Sequence, residues 1–141
     1  VDETLLRRGV EPWRATSDIV VVEGAGGLFS PLGDTGLNAD LARDLGSPLV
    51  VVDDARLGAI GRTLAVVRAA RAERLVVAAV VLSHVAATAG AQDDPRSAAG
   101  IARDAHEDLA ARLPGIRVVV LRHGGERIEP ALDWELLARG G

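Results

Sequence analysis

Acidic residues, glycines and histidines gather at four places in this sequence, each directly after a short apolar run. The first is Glu23-Gly24-Ala25-Gly26-Gly27, which continues as a long loop to residue 36. A carboxylate beside glycines suits a metal–phosphate pair, because the acid holds a hard cation while bare backbone amides approach the anion's oxygens. The other reading is a tight turn with a solvated Glu23. An acid that closes an apolar strand is costly to place without a partner, which favours the metal–phosphate reading. The second place is Asp53-Asp54-Ala55-Arg56-Leu57-Gly58-Ala59-Ile60-Gly61-Arg62, leading into a helix. Glycines 58 and 61 let first-turn amides, at the positive end of the helix dipole, meet a carboxylate or phosphate. Equally, the two aspartates cap the helix and the glycines relieve crowding. The third and fourth places are Ser83-His84 and Arg122-His123-Gly124-Gly125, which line either a nucleotide pocket or solvated loops. The sequence has no Ser-His-Asp order, no histidine pair at metal-ligand spacing and no G-x-G-x-x-G, so nucleophilic catalysis and a zinc site are set aside.

Absent residue types narrow the chemistry further. The chain has no cysteine, which removes disulfides, thiol nucleophiles and thiolate ligands. All 16 basic residues are arginine, so Schiff-base chemistry and a lysine-bearing phosphate loop have no residue to use within these 141 positions. There is no methionine even at position 1, and a chain beginning Val-Asp-Glu is expected to be a fragment or processed form. A net charge of −4 and 2% aromatic residues give no footprint for nucleic acid. The longest apolar runs fall far short of the roughly 20 residues that span a bilayer, so no membrane partner is expected.

Short β-branched segments alternate with helical patterns, as βαβ units with a buried parallel sheet require. Strands are expected at 18–23, 49–53, 75–82 and 116–121. A helix is expected from Asn38, as its N-cap, to Leu45, stopped by Gly46. A second should run over 59–73 with Ile60, Leu64 and Val67 as its stripe and Arg68, Arg71 and Arg74 facing away. A third should run over 97–113 with Ala98, Ile101, Ala105, Leu109 and Leu113 inward, ended by Pro114-Gly115. Flanking helices are expected at 3–8 and 131–139, and a loop at 86–95. Residues 1–141 then form a single α/β domain, a doubly wound and mostly parallel sheet that looks incomplete, with an unprotected strand edge. In such sheets ligands bind beyond the carboxyl ends of the strands, which is where the four clusters lie.

The stretch Asp18-Ile-Val-Val-Val-Glu-Gly-Ala-Gly-Gly-Leu-Phe-Ser-Pro-Leu32, followed by Asn38-Ala-Asp-Leu-Ala42, Gly46-Ser-Pro-Leu-Val-Val-Val52, Arg56-Leu-Gly-Ala-Ile60 and Val80-Val-Leu82, resembles the C-terminal half of the dethiobiotin synthetase family. The resemblance is dense from residue 18 to 83 and beyond that follows only the order of elements. It implies a P-loop NTPase-like fold and a cytoplasmic, homodimeric ligase of biotin biosynthesis that uses ATP and Mg2+. Carbon dioxide adds to an amine of 7,8-diaminononanoate, ATP phosphorylates the carbamate, and the second amine closes the ureido ring with loss of phosphate.

By that resemblance Glu23 is a magnesium ligand, and Glu23, Gly24, Ala25, Gly26, Ser83 and His84 bind the nucleotide. Gly26 and Gly27 lie against the reacting carbamate, while Leu57, Gly58, Ala59, Ile60 and Gly61 receive the carboxylate tail of the substrate held by the other subunit. The family's phosphate-loop lysine and a second active-site lysine belong to a region preceding this one, so the chain alone is expected to be inactive. Gly61 and Arg62 stand where the family has asparagine and histidine, and Ser83-His84 replaces an amide-bearing pair that reads adenine. An alternative is a non-catalytic α/β regulatory or interaction module that kept the fold and lost the chemistry. A third reading is another amidoligase or ATPase of the same fold, such as the cobyric acid synthase relatives.

Overall fold

Three valine-rich segments form the centre of a four-stranded sheet in the computed structural model, which describes residues 2–84, 94 and 96–139. The elements in chain order are α1 (Glu3–Gly9), α2 (Glu11–Arg14), α3 (Asn38–Leu45), β1 (Leu49–Asp54), α4 (Ala59–Ala72), β2 (Val77–Ser83), α5 (Ala98–Arg112), β3 (Arg117–Leu121), β4 (Ile128–Glu129) and α6 (Trp134–Ala138). Their order across the sheet is β1-β2-β3-β4. The first three strands are parallel and β4 returns antiparallel to β3. Asp54, Ser83 and Leu121 are in register, so the carboxyl ends of the three parallel strands finish side by side.

Alternation along the strands sends side chains to two faces. One face, with Val80, Leu82 and Val118, packs under α4 and α5 through Val67, Ala70, Ala105 and Leu109. The opposite face, with Ala79, Val81 and Val119, is covered by Leu132 and by Leu137 of α6. Val50 and Val52 continue this second face onto β1 and are exposed, Val52 by 64%.

Several expectations are corrected. Residues 18–23 form no strand. Among the described residues no strand pairs with them, and a β-segment exists only through its ladder. They border an open groove of about 770 Å³ beside Leu5, Leu6 and Trp13, with Val21 82% exposed. The apolar run from Ile19 to Val22 thus registers burial that the described residues do not supply.

The strand expected at 75–82 begins at Val77 and runs through Ser83, and β1 and β3 differ from expectation by one residue each. The expected inward residues Ala105, Leu109 and Leu113 are buried, and only the first turns of α5 differ. Ala99 and Ala102 are buried while Ala98 is exposed, because runs of alanine leave the helical phase ambiguous. Helix α4 buries Ala59, Thr63, Val67 and Ala70, with Ile60 and Leu64 only partly covered. Neither α2, with Pro12 in its first turn, nor the two-residue β4 was expected, and α6 is shorter than 131–139. The loop expected at 86–95 lies, save for Asp94, outside the described residues.

Candidate functional site

The glycine-rich loop is built against the start of α3. Asn38, expected as N-cap, is the first residue of the helix, and Leu37 is the cap. The Asp40 carboxylate accepts the Leu37 N–H at 2.9 Å and a bond from Arg43 at 2.7 Å. The Leu37 N–H, and after it Arg43, hold the Asp40 carboxyl below its ordinary range. With that cap made by Asp40, the Asn38 side chain is free to turn to the loop. Its amide donates to the carbonyls of Ala25 at 2.8 Å and Gly27 at 2.9 Å.

Backbone bonds from Asn38 N–H to Ser30 and from Ala39 N–H to Leu28 complete the attachment, and Leu28 packs on the core. Ser30 Oγ accepts the Gly27 N–H at 2.8 Å. Gly26 takes a φ of +79°, and a Cβ there would lie 2.5 Å from Ser30 Oγ, so only glycine closes this turn. The amides of Gly24, Ala25 and Gly26 have no hydrogen-bond partner among the described residues. Glu23 is exposed, and its carboxylate makes no hydrogen bond or ion pair among those residues. Because 18–23 is not a strand, Glu23 does not end one. The desolvation cost anticipated for it does not arise.

A second assembly occupies the carboxyl ends of β1, β2 and β3. Asp53 accepts from Thr63 Oγ1 at 3.0 Å, from Arg62 Nε at 3.1 Å and from the Asp54 N–H at 2.8 Å. The same Arg62 guanidinium donates to the carbonyls of Leu57 at 3.2 Å and Asp54 at 3.0 Å, arching over the turn that starts α4. Arg56 is paired with Asp54. The aspartates therefore do not cap α4. Its N-cap is Gly58, without a side-chain bond, and the amides of Ile60 and Gly61 are free of partners among the described residues. Leu57 is 81% exposed beside them.

Ser83 accepts the Ala55 N–H through its carbonyl, and His84 donates its N–H to the carbonyl of Leu121, both at 2.9 Å. Burial, and then the charge of Arg122, push the His84 imidazole below its ordinary pKa of 6.5 against the opposing pull of Asp54. The ring is therefore a neutral donor–acceptor rather than a cation near neutral pH. His123, Gly124 and Gly125 are exposed, with Gly125 N–H turned back to Arg122 O.

Of the predicted residues, Leu57 to Gly61 follow the carboxyl end of β1 and Ser83-His84 lie at that of β2, beside it in the sheet, while Glu23 to Gly27 are tied to the start of α3. No side-chain hydrogen bond among the described residues links the two assemblies. No group of three or more metal-ligating side chains occurs among the described residues, which is compatible with a cation held by one carboxylate, phosphate oxygens and water. Sequence reasoning missed Asn38 as a loop anchor and Thr63 as a partner of Asp53. The one signal for Thr63 was a hydroxyl on the inward stripe of an alanine-rich helix. No helix among the described residues is long and apolar enough to cross a membrane.

Residues 2–121 match the AAA domain family AAA_26. An ATP-dependent dethiobiotin synthetase BioD of Anaeromyxobacter dehalogenans is 42% identical over 118 residues, covering 79% of this chain and 51% of the relative. The BioD of Gloeobacter violaceus is 37% identical across the whole chain and 57% of its own length, and that of Aromatoleum aromaticum is 41% identical over 60% of the chain and 38% of the relative. The chain thus spans about half the length of the curated relatives it matches.

Proposed function

This chain belongs to the AAA domain family, and from that premise we propose that it is a single-domain C-terminal part of an ATP- and Mg2+-dependent dethiobiotin synthetase. The observation that carries the proposal is the loop from Glu23 to Gly27, where three amides and a neighbouring carboxylate have no partner among the described residues, set in a sequence similar to named dethiobiotin synthetases. The free amides of Gly24, Ala25 and Gly26 meet nucleotide phosphate and carbamate oxygens, whose charge is fixed by position rather than by titration. Glu23 holds Mg2+, which when bound neutralises charge on the transferring phosphate.

The amides of Ile60 and Gly61, at the positive end of α4, receive the carboxylate of 7,8-diaminononanoate held by a second subunit of a homodimer. Ser83 and neutral His84 offer hydrogen-bonding edges to the base. Carbon dioxide is the second small substrate, the working location is cytoplasmic, and neither nucleic acid nor membrane takes part.

The arginines supply no flexible ammonium to the phosphates, so the 141-residue chain alone is expected neither to turn over ATP nor to form dethiobiotin. Calorimetry with Mg2+, ATP and diaminononanoate tests the proposal on the chain alone and on the chain joined to the part of the Anaeromyxobacter relative it does not cover. The joined protein should bind both and lose its magnesium dependence with Glu23→Ala. Binding by neither, or ring closure by the chain alone, overturns this reading.

A second reading, a non-catalytic module of the same fold, draws support from Arg62. That side chain is spent on protein oxygens at the very turn where the carboxylate would dock. The same calorimetry separates the two, since the module binds neither ligand in either form.

A further inference from the structure

We propose that Asn38 is a positioning residue that holds the loop from Gly24 to Gly27 in the conformation that leaves the amides of Gly24, Ala25 and Gly26 without a partner among the described residues. Its side-chain amide donates to the carbonyls of Ala25 and Gly27, which flank the Gly26 turn, at 2.8 and 2.9 Å. Tying the Ala25 carbonyl inward fixes the peptide plane that carries the Gly26 N–H and sends that N–H the opposite way, while tying the Gly27 carbonyl fixes the plane between Gly27 and Leu28, so both ends of the Gly26 turn are held.

The orientation of the side chain is set by those same contacts. Turning it over would place Oδ1 against two carbonyl oxygens. In the bonded orientation Oδ1 is buried without a partner, on the side of Gly24. A Cβ on Gly24 would lie 3.1 Å from both Oδ1 and Cγ of Asn38, so loop and side chain are fitted to each other. An unpartnered buried oxygen is an expense that the two donor bonds offset, and it persists because the loop needs both donors at once. At a helix's first position a solvated asparagine would have no such constraint.

The proposal rests on the reading of this loop as a phosphate site only for its consequence, not for its geometry. 15N relaxation on the 141-residue chain, first without ligand and then with inorganic phosphate added in magnesium buffer, tests the two separately. In the unsubstituted chain the order parameters of Gly24 to Gly27 should approach the rigid-backbone value of about 0.85. In Asn38→Asp, which turns an acceptor toward both carbonyls, they should fall below about 0.6 while the amides of β2 stay unchanged. Phosphate should move the Gly24, Ala25 and Gly26 resonances, with an affinity lowered about tenfold or more by the substitution, the scale of two lost hydrogen bonds.

Unchanged loop order in Asn38→Asp overturns the proposal whatever phosphate does. A loosened loop with no phosphate response in the unsubstituted chain upholds Asn38 as the anchor and overturns the phosphate reading instead. Should the aspartate variant not fold, Asn38→Ala removes the same donors without adding charge, and its loop order decides the matter in the same way.

Discussion

Thr63 is the one fully buried polar side chain among the described residues, and its hydroxyl is spent on Asp53. Replacing it by valine keeps the shape and strips a donor from a carboxylate that is itself largely covered. Leaving such an oxygen unmet costs about 1–3 kcal/mol. Thr63→Val is therefore expected to lower the unfolding free energy by that amount, read as a lower urea midpoint at an unchanged slope, and an unaltered midpoint would show that Arg62 alone satisfies Asp53. Individual residues were legible in the sequence where their chemistry depends on type alone, as with the glycines of 24–27. They were not legible where it depends on distant partners. Asn38 reaches carbonyls 11 and 13 positions upstream, a contact that no local rule anticipates. Arg62 closes the second cluster in the sequence, and nothing local shows that folding aims it back at its own turn.

At the level of elements, α3 shows how a helix start and a loop share one short sequence. Asp40 supplies the capping bond to Leu37, releasing Asn38 for the loop, so losing Asp40 should disturb both. The pH dependence follows from the direction of its shift. A carboxyl held below its ordinary range stabilises the fold fully above the ordinary value, and that contribution is lost as pH falls through the depressed one. Asp40→Asn is expected to lower the thermal midpoint at neutral pH and to flatten its acid-side decline. A variant with the same acid-side decline as the parent would assign that decline to other carboxyls. Most elements were legible because β-branched runs and helical stripes reflect burial inside this chain. Segment 18–23 was misread because its valines are patterned for a neighbour that the described fold does not provide. In α5 the stripe is mostly alanine, and small side chains mark a face poorly.

Across the whole molecule, the sheet is finished on one side and open on the other. The β4 hairpin and α6 close the far side, while β1, among the described residues, pairs only with β2 and leaves Val50 and Val52 uncovered. A bare edge beside exposed valine invites strand addition. Sedimentation of the chain at rising concentration is expected to show association, reduced by Val52→Lys, which places a charge on that face. A monomer at all concentrations would mean that the edge is shielded in solution. The sequence foretold an incomplete sheet from its strand count, though not that the face over β1 would be bare as well.

The spatial order of the strands repeats their order along the chain, with nothing inserted between neighbours. Each strand can then pair as soon as it follows its predecessor, and no late segment must thread between two early ones. Assembly thus resembles a zipper opening from β1, with β4 and α6 closing last. Stopped-flow kinetics would register this as slowed refolding in Val80→Ala and faster unfolding in Leu137→Ala, and the reverse assignment would place the nucleus at the C-terminal end.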